Sequence, residues 1–255
     1  MNATSPSLLA IKGVEHSFGG FQVLRGVSFD VPLGGLVGLI GPNGSGKTTL
    51  FNIICGFIHP LAGQVLLDGR ALGSSNVVQR SRQGLVRTFQ TPRVFEHLTV
   101  LENVMTGLYK CSRGGILASM FRLPLARREM LRMKDQALAT CDAFGLGGIK
   151  HRLAGSLTAG ARRNVELARA TVSAPRVLLL DEPSSGLSQE EVDQLREQLI
   201  RINKSGLAIL MVSHDMALMS IVDRAHVLSA GETIACGTMQ AIHRDPQVQQ
   251  VYLGL

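Results

Sequence analysis

The chain has 255 residues, enough for one large domain or for a core that carries an inserted subdomain. Hydrophobic residues make up 45% of it, which argues against wholesale disorder, and the lack of Trp with only two Tyr argues against an aromatic-rich binding surface. The net charge of +7 is uneven: residues 70–169 hold 17 of the 26 Lys/Arg and 6 of the 19 Asp/Glu, a balance that suits nucleic acid, anionic lipid, an acidic partner or simply a solvated face.

In chain order, LLAIKGVEHSF and FQVLRGVSFDV alternate in polarity and predict antiparallel strands joined at Gly19-Gly20. GLVGLI, 35–40, reads as a strand buried on both faces. A glycine-rich turn follows, then TTLFNIICGF, a helix that stops near Gly56 and Pro60. GQVLLDG, 63–69, predicts a short strand ending in an Asp-Gly turn. From about 96 to 150 the pattern turns helical and basic. Residues 110–124 read as a loop with partial helical character, and 125–144 as an amphipathic helix burying Leu131, Ala137, Leu138 and Phe144. RVLLLDE and LAILMVSHD then predict buried strands, EEVDQLREQLIRIN and MALMSIVDR helices, and AHVLSAGETIACG a hairpin turning at Gly231. Alternating strands and helices at both ends predict a mainly parallel α/β core, with the helical middle as an insertion.

No apolar run reaches the roughly 18–20 residues of a membrane span. MNATSPSLLA lacks the basic and apolar regions of a secretory signal. Cys55, Cys111, Cys141 and Cys236 are scattered with no CxxC and read as free thiols of a reducing cytoplasm.

Two motifs carry chemistry. GPNGSGKT, 41–48, matches G-x-x-x-x-G-K-[ST] between a strand and a helix. In such a loop, here Gly41, Pro42, Asn43, Gly44, Ser45, Gly46, Lys47, Thr48 and Thr49, the glycines let main-chain N–H groups turn inward on a phosphate. The helix N-terminus adds positive potential. Lys47 would reach the β- and γ-phosphates and Thr48 would hold Mg²⁺. VLLLDE, 177–182, presents two carboxylates at a buried strand end: Asp181 placed to hold Mg²⁺, Glu182 to polarise an attacking water.

With both motifs in this order, the chain resembles the ATP-binding subunit of an ATP-binding cassette (ABC) transporter over nearly its whole length. The resemblance implies a P-loop NTPase (RecA-like) α/β core with an N-terminal antiparallel β subdomain and an inserted α-helical subdomain. The core would span about 1–90 and 165–255 and the insertion about 91–164. It further implies that Phe18 in HSFGG stacks on adenine, that Gln90 in VRTFQTPRVF contacts Mg²⁺ and the attacking water, and that His214 in MVSHD contacts the γ-phosphate and orients the water or Glu182. Each has an ordinary structural reading as well: Phe18 as core, Gln90 as a loop cap, His214 as a hydrogen-bonded core histidine. Their order around the phosphate loop makes the joint match specific.

The chain departs from the family in two places. The signature, usually L-S-G-G-Q, is here Leu157, Thr158, Ala159, Gly160 and Ala161. Thr158 keeps the hydroxyl and Gly160 one close backbone approach, so a weakened signature toward a partner's ATP is expected, while Thr158 also suits an ordinary N-cap. The family's S-A-L-D is here Ser185-Gly186-Leu187-Ser188, without the aspartate.

GLVRTFQTPRVFEHLTVLENVMTG, the basic insertion at 110–135 and the ending GTMQAIHRDPQVQQVYLGL are similar to the longer ATPase of branched-chain amino acid importers. That implies ATP and Mg²⁺, membrane permease subunits, a second ATPase subunit in a heterodimer or a homodimer and, indirectly, a solute-binding protein for branched-chain amino acids or related small amides, with the chain peripheral on the cytoplasmic face of the inner membrane. The basic middle would face permease and lipid, and no nucleic acid partner is expected. A non-transport ABC ATPase acting on nucleic acid or ribosomes is the alternative.

Overall fold

The computed structural model describes residues 7–109 and 124–253. The chain divides into two compact units, Met1–Arg87 with Arg176–Leu255, and Thr88–Pro175.

Two sheets build the first unit. Strands β1 (Ser7–Phe18) and β2 (Phe21–Pro32) form the expected antiparallel hairpin, with Gly19 at φ 58° in its turn. β4 (Ala62–Leu67) and β5 (Arg70–Ala71) complete a four-stranded sheet in the order β2-β1-β4-β5. Asp68 and Gly69, at φ 54° and 73°, form the Asp-Gly turn between β4 and β5.

The second sheet has the order β10-β9-β3-β8-β7-β6, formed by β3 (Leu36–Ile40), β6 (Leu85–Arg87), β7 (Val177–Asp181), β8 (Ala208–Val212), β9 (Arg224–Ser229) and β10 (Glu232–Gly237). β9, β3, β8, β7 and β6 run parallel, and β10 closes the edge antiparallel. Every residue of β3 and β8 is buried, as expected for strands covered on both faces.

Helix α1 (Lys47–Cys55) buries Leu50, Phe51, Ile53 and Ile54 completely. They join one core with Leu9, Ile11 and Val14 of β1 and Leu39, Leu179 and Leu210 of the parallel sheet. Each such side chain contributes about 1.5–3 kcal/mol. α1 stops at Gly56, whose φ of 83° supplies a left-handed cap. Its last carbonyls are held by a residue that sequence reasoning missed: the Arg80 guanidinium donates to Ile53 O at 2.6 Å and Ile54 O at 2.8 Å. Arg80 lies on α2 (Val77–Arg82), a short helix also unforeseen.

α6 of the chain, Gln189–Lys204, starts at Ser188, whose side chain accepts from Glu191 N while Glu191 reaches back to Ser188 N. Ser188, the last residue of Ser185-Gly186-Leu187-Ser188, is therefore the cap of this helix. The helix expected over MALMSIVDR is only α7 (Met216–Met219). Asp223 draws the chain out of it, donating its N–H to Leu36 O and accepting from Leu36 N, both at 2.8 Å. Two helices follow the hairpin, α8 (Met239–Arg244), capped by Thr238, and α9 (Pro246–Leu253), started by the Asp245-Pro246 pair.

The second unit holds α3 (Val100–Thr106), α4 (Pro124–Ala143) and α5 (Ala159–Thr171). The loop expected over 110–124 lies, apart from Pro124, outside the described residues. On α4 and just beyond it the buried stripe is Met133, Ala137, Cys141 and Phe144. Leu131, expected inside, is 54% exposed, and Leu138 is half-buried. At 100° per residue Leu131 lies roughly 125° round from the centre of that stripe.

Candidate functional site

Residues 41–46 connect β3 to α1 and are shaped by close packing. Gly41 has φ 155°, and a Cβ there would stand 2.0 Å from Leu228 O. Gly46 has φ 106°, and its Cβ would stand 2.7 Å from Leu24 Cδ2. Only glycine fits at either position. The loop is pinned by Ser45 N donating to Pro42 O at 3.2 Å and by Gly231 N donating to Ser45 O at 3.2 Å.

Lys47 is buried and folds back onto its own loop, its Nζ donating to Gly41 O at 2.7 Å and Pro42 O at 2.8 Å. Burial lowers the Lys47 ammonium from its ordinary value, and the charges of Glu182 and Asp181 oppose the shift. Among the described residues, the N–H groups of Gly46, Lys47, Thr48 and Thr49 have no main-chain acceptor, and the buried Ser45 hydroxyl has no partner. Main-chain donors without a main-chain acceptor, an orphaned hydroxyl and a lysine at a helix N-terminus fit a polyphosphate. Asn43, Gly44 and Thr48 are exposed around them.

Asp181 ends β7 and Glu182 follows at φ 45°, a left-handed conformation that costs a non-glycine residue about 1–3 kcal/mol. It is held there because Glu182 N donates to Val212 O at 2.9 Å. The Glu182 carboxylate meets His214, two residues past the end of β8. His214 Nε2 lies 3.3 Å from Glu182 Oε1, and His214 N donates to Glu182 Oε2 at 3.2 Å. The imidazole is half exposed while Glu182 is largely covered. Lys47, Asp181, Glu182 and His214 are thus gathered at the ends of β3, β7 and β8. Phe18, at the hairpin tip, is 52% exposed with its ring edge-on to His16 at 4.7 Å.

The oxygen donors Thr48 and Asp181 suit Mg²⁺. Among the described residues no group of three or more His, Cys, Asp or Glu forms a ready metal cage, so such an ion would be completed by phosphate oxygens and water.

Sequence reasoning missed Arg87, the last residue of β6. Its Nη2 pairs with Asp181 Oδ2 at 2.6 Å and its Nη1 donates to Asn52 Oδ1 at 2.6 Å. The guanidinium carbon stands 5.6 Å from the centre of the Phe51 ring. The Cys55 thiol lies against the same arginine, and burial pushes it up to about 11.

Gln90, Thr158 and Gly160 belong to the second unit. Gln90 is exposed, and its backbone is clamped by α5: Arg163 donates to Phe89 O at 2.8 Å and to Gln90 O at 2.6 Å. Glu166 accepts from Phe89 N and Arg93 N and pairs with Arg163 at 2.7 Å. Arg163 and Glu166 are both buried, and burial shifts each toward its neutral form against the attraction between them. Their opposite signs at i, i+3 were a visible signal, but one shared with any exposed helix pair. Thr158 is the N-cap of α5 and accepts from Ala161 N at 3.3 Å.

Comparison with known proteins identifies the family of the chain. Residues 24–185 match the family described as ABC transporter. The chain is 37% identical to the high-affinity branched-chain amino acid transport ATP-binding protein LivG of Salmonella typhimurium, covering 98% of this chain and 99% of the relative. It is 35% identical to the corresponding BraF of Pseudomonas aeruginosa over the same shares, and 30% identical to the lipopolysaccharide export system ATP-binding protein LptB of Haemophilus influenzae, over 97% and 98%. Among solved structures, a nucleotide-free ATP-binding cassette of an ABC transporter matches with TM-score 0.85 and 29% identity, covering 98% of this chain and all of the other. A cassette in its ADP conformation matches with TM-score 0.84 and 28% identity, over the same shares.

Proposed function

The chain belongs to the ABC transporter family as an ATP-binding cassette, and from that premise we propose that it is the ATP-hydrolysing subunit of an importer for branched-chain amino acids or related small amides. The observation that carries the solute class is the 35–37% identity to LivG and BraF along nearly the full length of both chains. The LptB relatives, which the chain resembles at 30–34%, serve export of a different molecule and stand as the competing reading.

In this proposal the loop Gly41–Thr49 wraps the phosphates of ATP. Lys47 leaves the carbonyls of Gly41 and Pro42 for the β- and γ-phosphates, a swap helped by its partial desolvation. Phe18 offers its exposed ring to adenine. Thr48, Asp181 and Gln90 would hold Mg²⁺, which when bound neutralises charge on the phosphate oxygens. Glu182 accepts hydrogen-bonding from the attacking water, and His214, joined to Glu182 through both ring and backbone, fixes that carboxylate and meets the γ-phosphate. Thr158 and Gly160 face the nucleotide of a second ATPase subunit. The Thr158 hydroxyl accepts from Ala161 N and keeps its O–H to donate to a phosphate, but Ala161 lacks the usual side-chain amide, so in this proposal that second site turns over slowly. The partners are a membrane permease, the second ATPase and, indirectly, a solute-binding protein, with the chain peripheral on the cytoplasmic face. Among the described residues no helix is long and apolar enough to cross a membrane.

Uptake of labelled leucine by cells whose only copy carries Lys47→Ala tests this. The proposal expects uptake to fall to background while leucine still binds outside the cell. Undiminished uptake, or loss of lipopolysaccharide export in its place, would overturn the solute assignment.

A further inference from the structure

The pairing of Arg87 with Asp181 is unexplained by the roles above, because an arginine already occupies the carboxylate assigned to Mg²⁺. Arg87 bridges the two motifs. One prong, Nη1, holds Asn52 on α1 at 2.6 Å; the other, Nη2, holds Asp181 Oδ2 at 2.6 Å. Asn52 lies four residues after Thr48, one turn along the same helix face. The bridge therefore ties the helix that carries Thr48 to the strand end that carries Asp181. Both side chains of the ion pair are largely buried, with Arg87 at 8% and Asp181 at 15% exposure, so the contact has one geometry rather than a fluctuating surface one. Among the described residues Asp181 Oδ1 has no hydrogen bond, which leaves it as the oxygen able to face an ion or its water.

We propose that Arg87 is a positioning residue for magnesium: it fixes the rotamer of Asp181 through Oδ2, so that Oδ1 faces the Thr48 hydroxyl, and it spaces the carboxylate from α1 through Asn52. This rests on the reading of Thr48 and Asp181 as the magnesium site. In this role Arg87 acts through the side chain that would hold the ion, as the outer partners of metal sites do. A planar guanidinium with one nitrogen on each partner suits the task, because it sets two directions at once, whereas lysine supplies charge without them.

The test uses purified full-length protein and a fluorescent ATP analogue, titrated with and without Mg²⁺, with thermal melting on the same samples. For Arg87→Gln, the magnesium concentration that half-saturates the tight-binding state rises about tenfold or more, while affinity in EDTA stays within about twofold of the parent. Arg87→Lys recovers only part of the shift, and Asn52→Ala, which removes one prong and keeps the charge, shifts the midpoint in the same direction by less. Should Arg87→Gln or Asn52→Ala weaken binding equally in magnesium and in EDTA, or leave both unchanged, the inference fails. Asp181→Asn separates this from the reading beneath it. If Asp181→Asn abolishes the magnesium effect and the Arg87 variants do not alter it, only the positioning role is lost. If Asp181→Asn leaves it intact, the magnesium site itself is misassigned.

Discussion

At the residue scale, buried polar side chains do work that their sequence neighbourhood conceals. His226 on β9 is buried, stacked on Phe29 at 4.7 Å, with its Nε2 3.8 Å from Cys236 Sγ. Burial, aided by Arg224 and opposed by Asp30, lowers its pKa from 6.5 to about 4. The unfolded chain therefore takes up a proton at His226 before the folded one does. The stabilising effect of a neutral His226 is complete above pH 6.5 and is lost as pH falls toward 4, with a slope of up to about 1.4 kcal/mol per pH unit. Thermal melts at pH 7.5 and pH 5 check this. His226→Phe, which keeps the stacking, is expected to lose less stability between those two values than the parent does. Equal losses would remove His226 as a source of acid sensitivity.

The same scale shows what could be read in advance. Lys47, Thr48, Asp181 and Glu182 were legible because each belongs to a local pattern, a glycine spacing or an apolar run ending in acids. The conformations behind the patterns were partly legible too, since Gly41 and Gly46 stand where φ and the close approach of Leu228 and Leu24 admit no side chain. Arg87 was not legible. Its partner is 94 residues away, and nothing local separates a buried arginine from a solvated one. Arg80 was hidden for the same reason, being recruited by carbonyls of a helix 26 and 27 residues earlier.

At the scale of elements, strong periodicity and strong punctuation decided what the sequence disclosed. The hairpin at Gly19-Gly20, the buried strands β3, β7 and β8, and the stop of α1 at Gly56 all followed from it. α2 was missed because six residues are too few to show a helical period. α7 was overextended because the Asp223–Leu36 exchange, which ends it, joins distant parts of the chain. Leu131 was misassigned because α4 buries a stripe centred on Met133, Ala137 and Cys141, where smaller or more flexible side chains than leucine do the packing.

α5 carries its own prediction. Arg163 and Glu166 lock the segment Phe89–Arg93 onto the helix, and so fix the backbone of Gln90. Arg163→Met alone leaves Glu166 buried without its partner and is expected to cost about 3–5 kcal/mol. The double change Arg163→Met with Glu166→Leu is expected to recover a good part of that loss. Denaturant unfolding of the two variants checks the claim. A double variant no more stable than the single one would show that the ion pair is not what α5 depends on.

At the scale of the whole molecule, the two units carry different parts of the proposed machinery. The unit of Met1–Arg87 and Arg176–Leu255 holds Phe18, the phosphate loop, Asp181, Glu182 and His214, while Thr88–Pro175 holds Gln90, Thr158 and Gly160. The uneven charge of the chain follows this division, since the excess of Lys/Arg falls mostly between residues 70 and 169.

The central claim is that ATP held by the loop at Lys47 is hydrolysed through Glu182, and one measurement reaches it directly: ATP turnover by the assembled complex carrying Glu182→Gln, with nucleotide binding followed on the same preparation. The account predicts that turnover falls by about 10²–10⁴ while ATP affinity stays within about threefold of the parent. Near-full turnover in that complex would place the working site on the other subunit and contradict it.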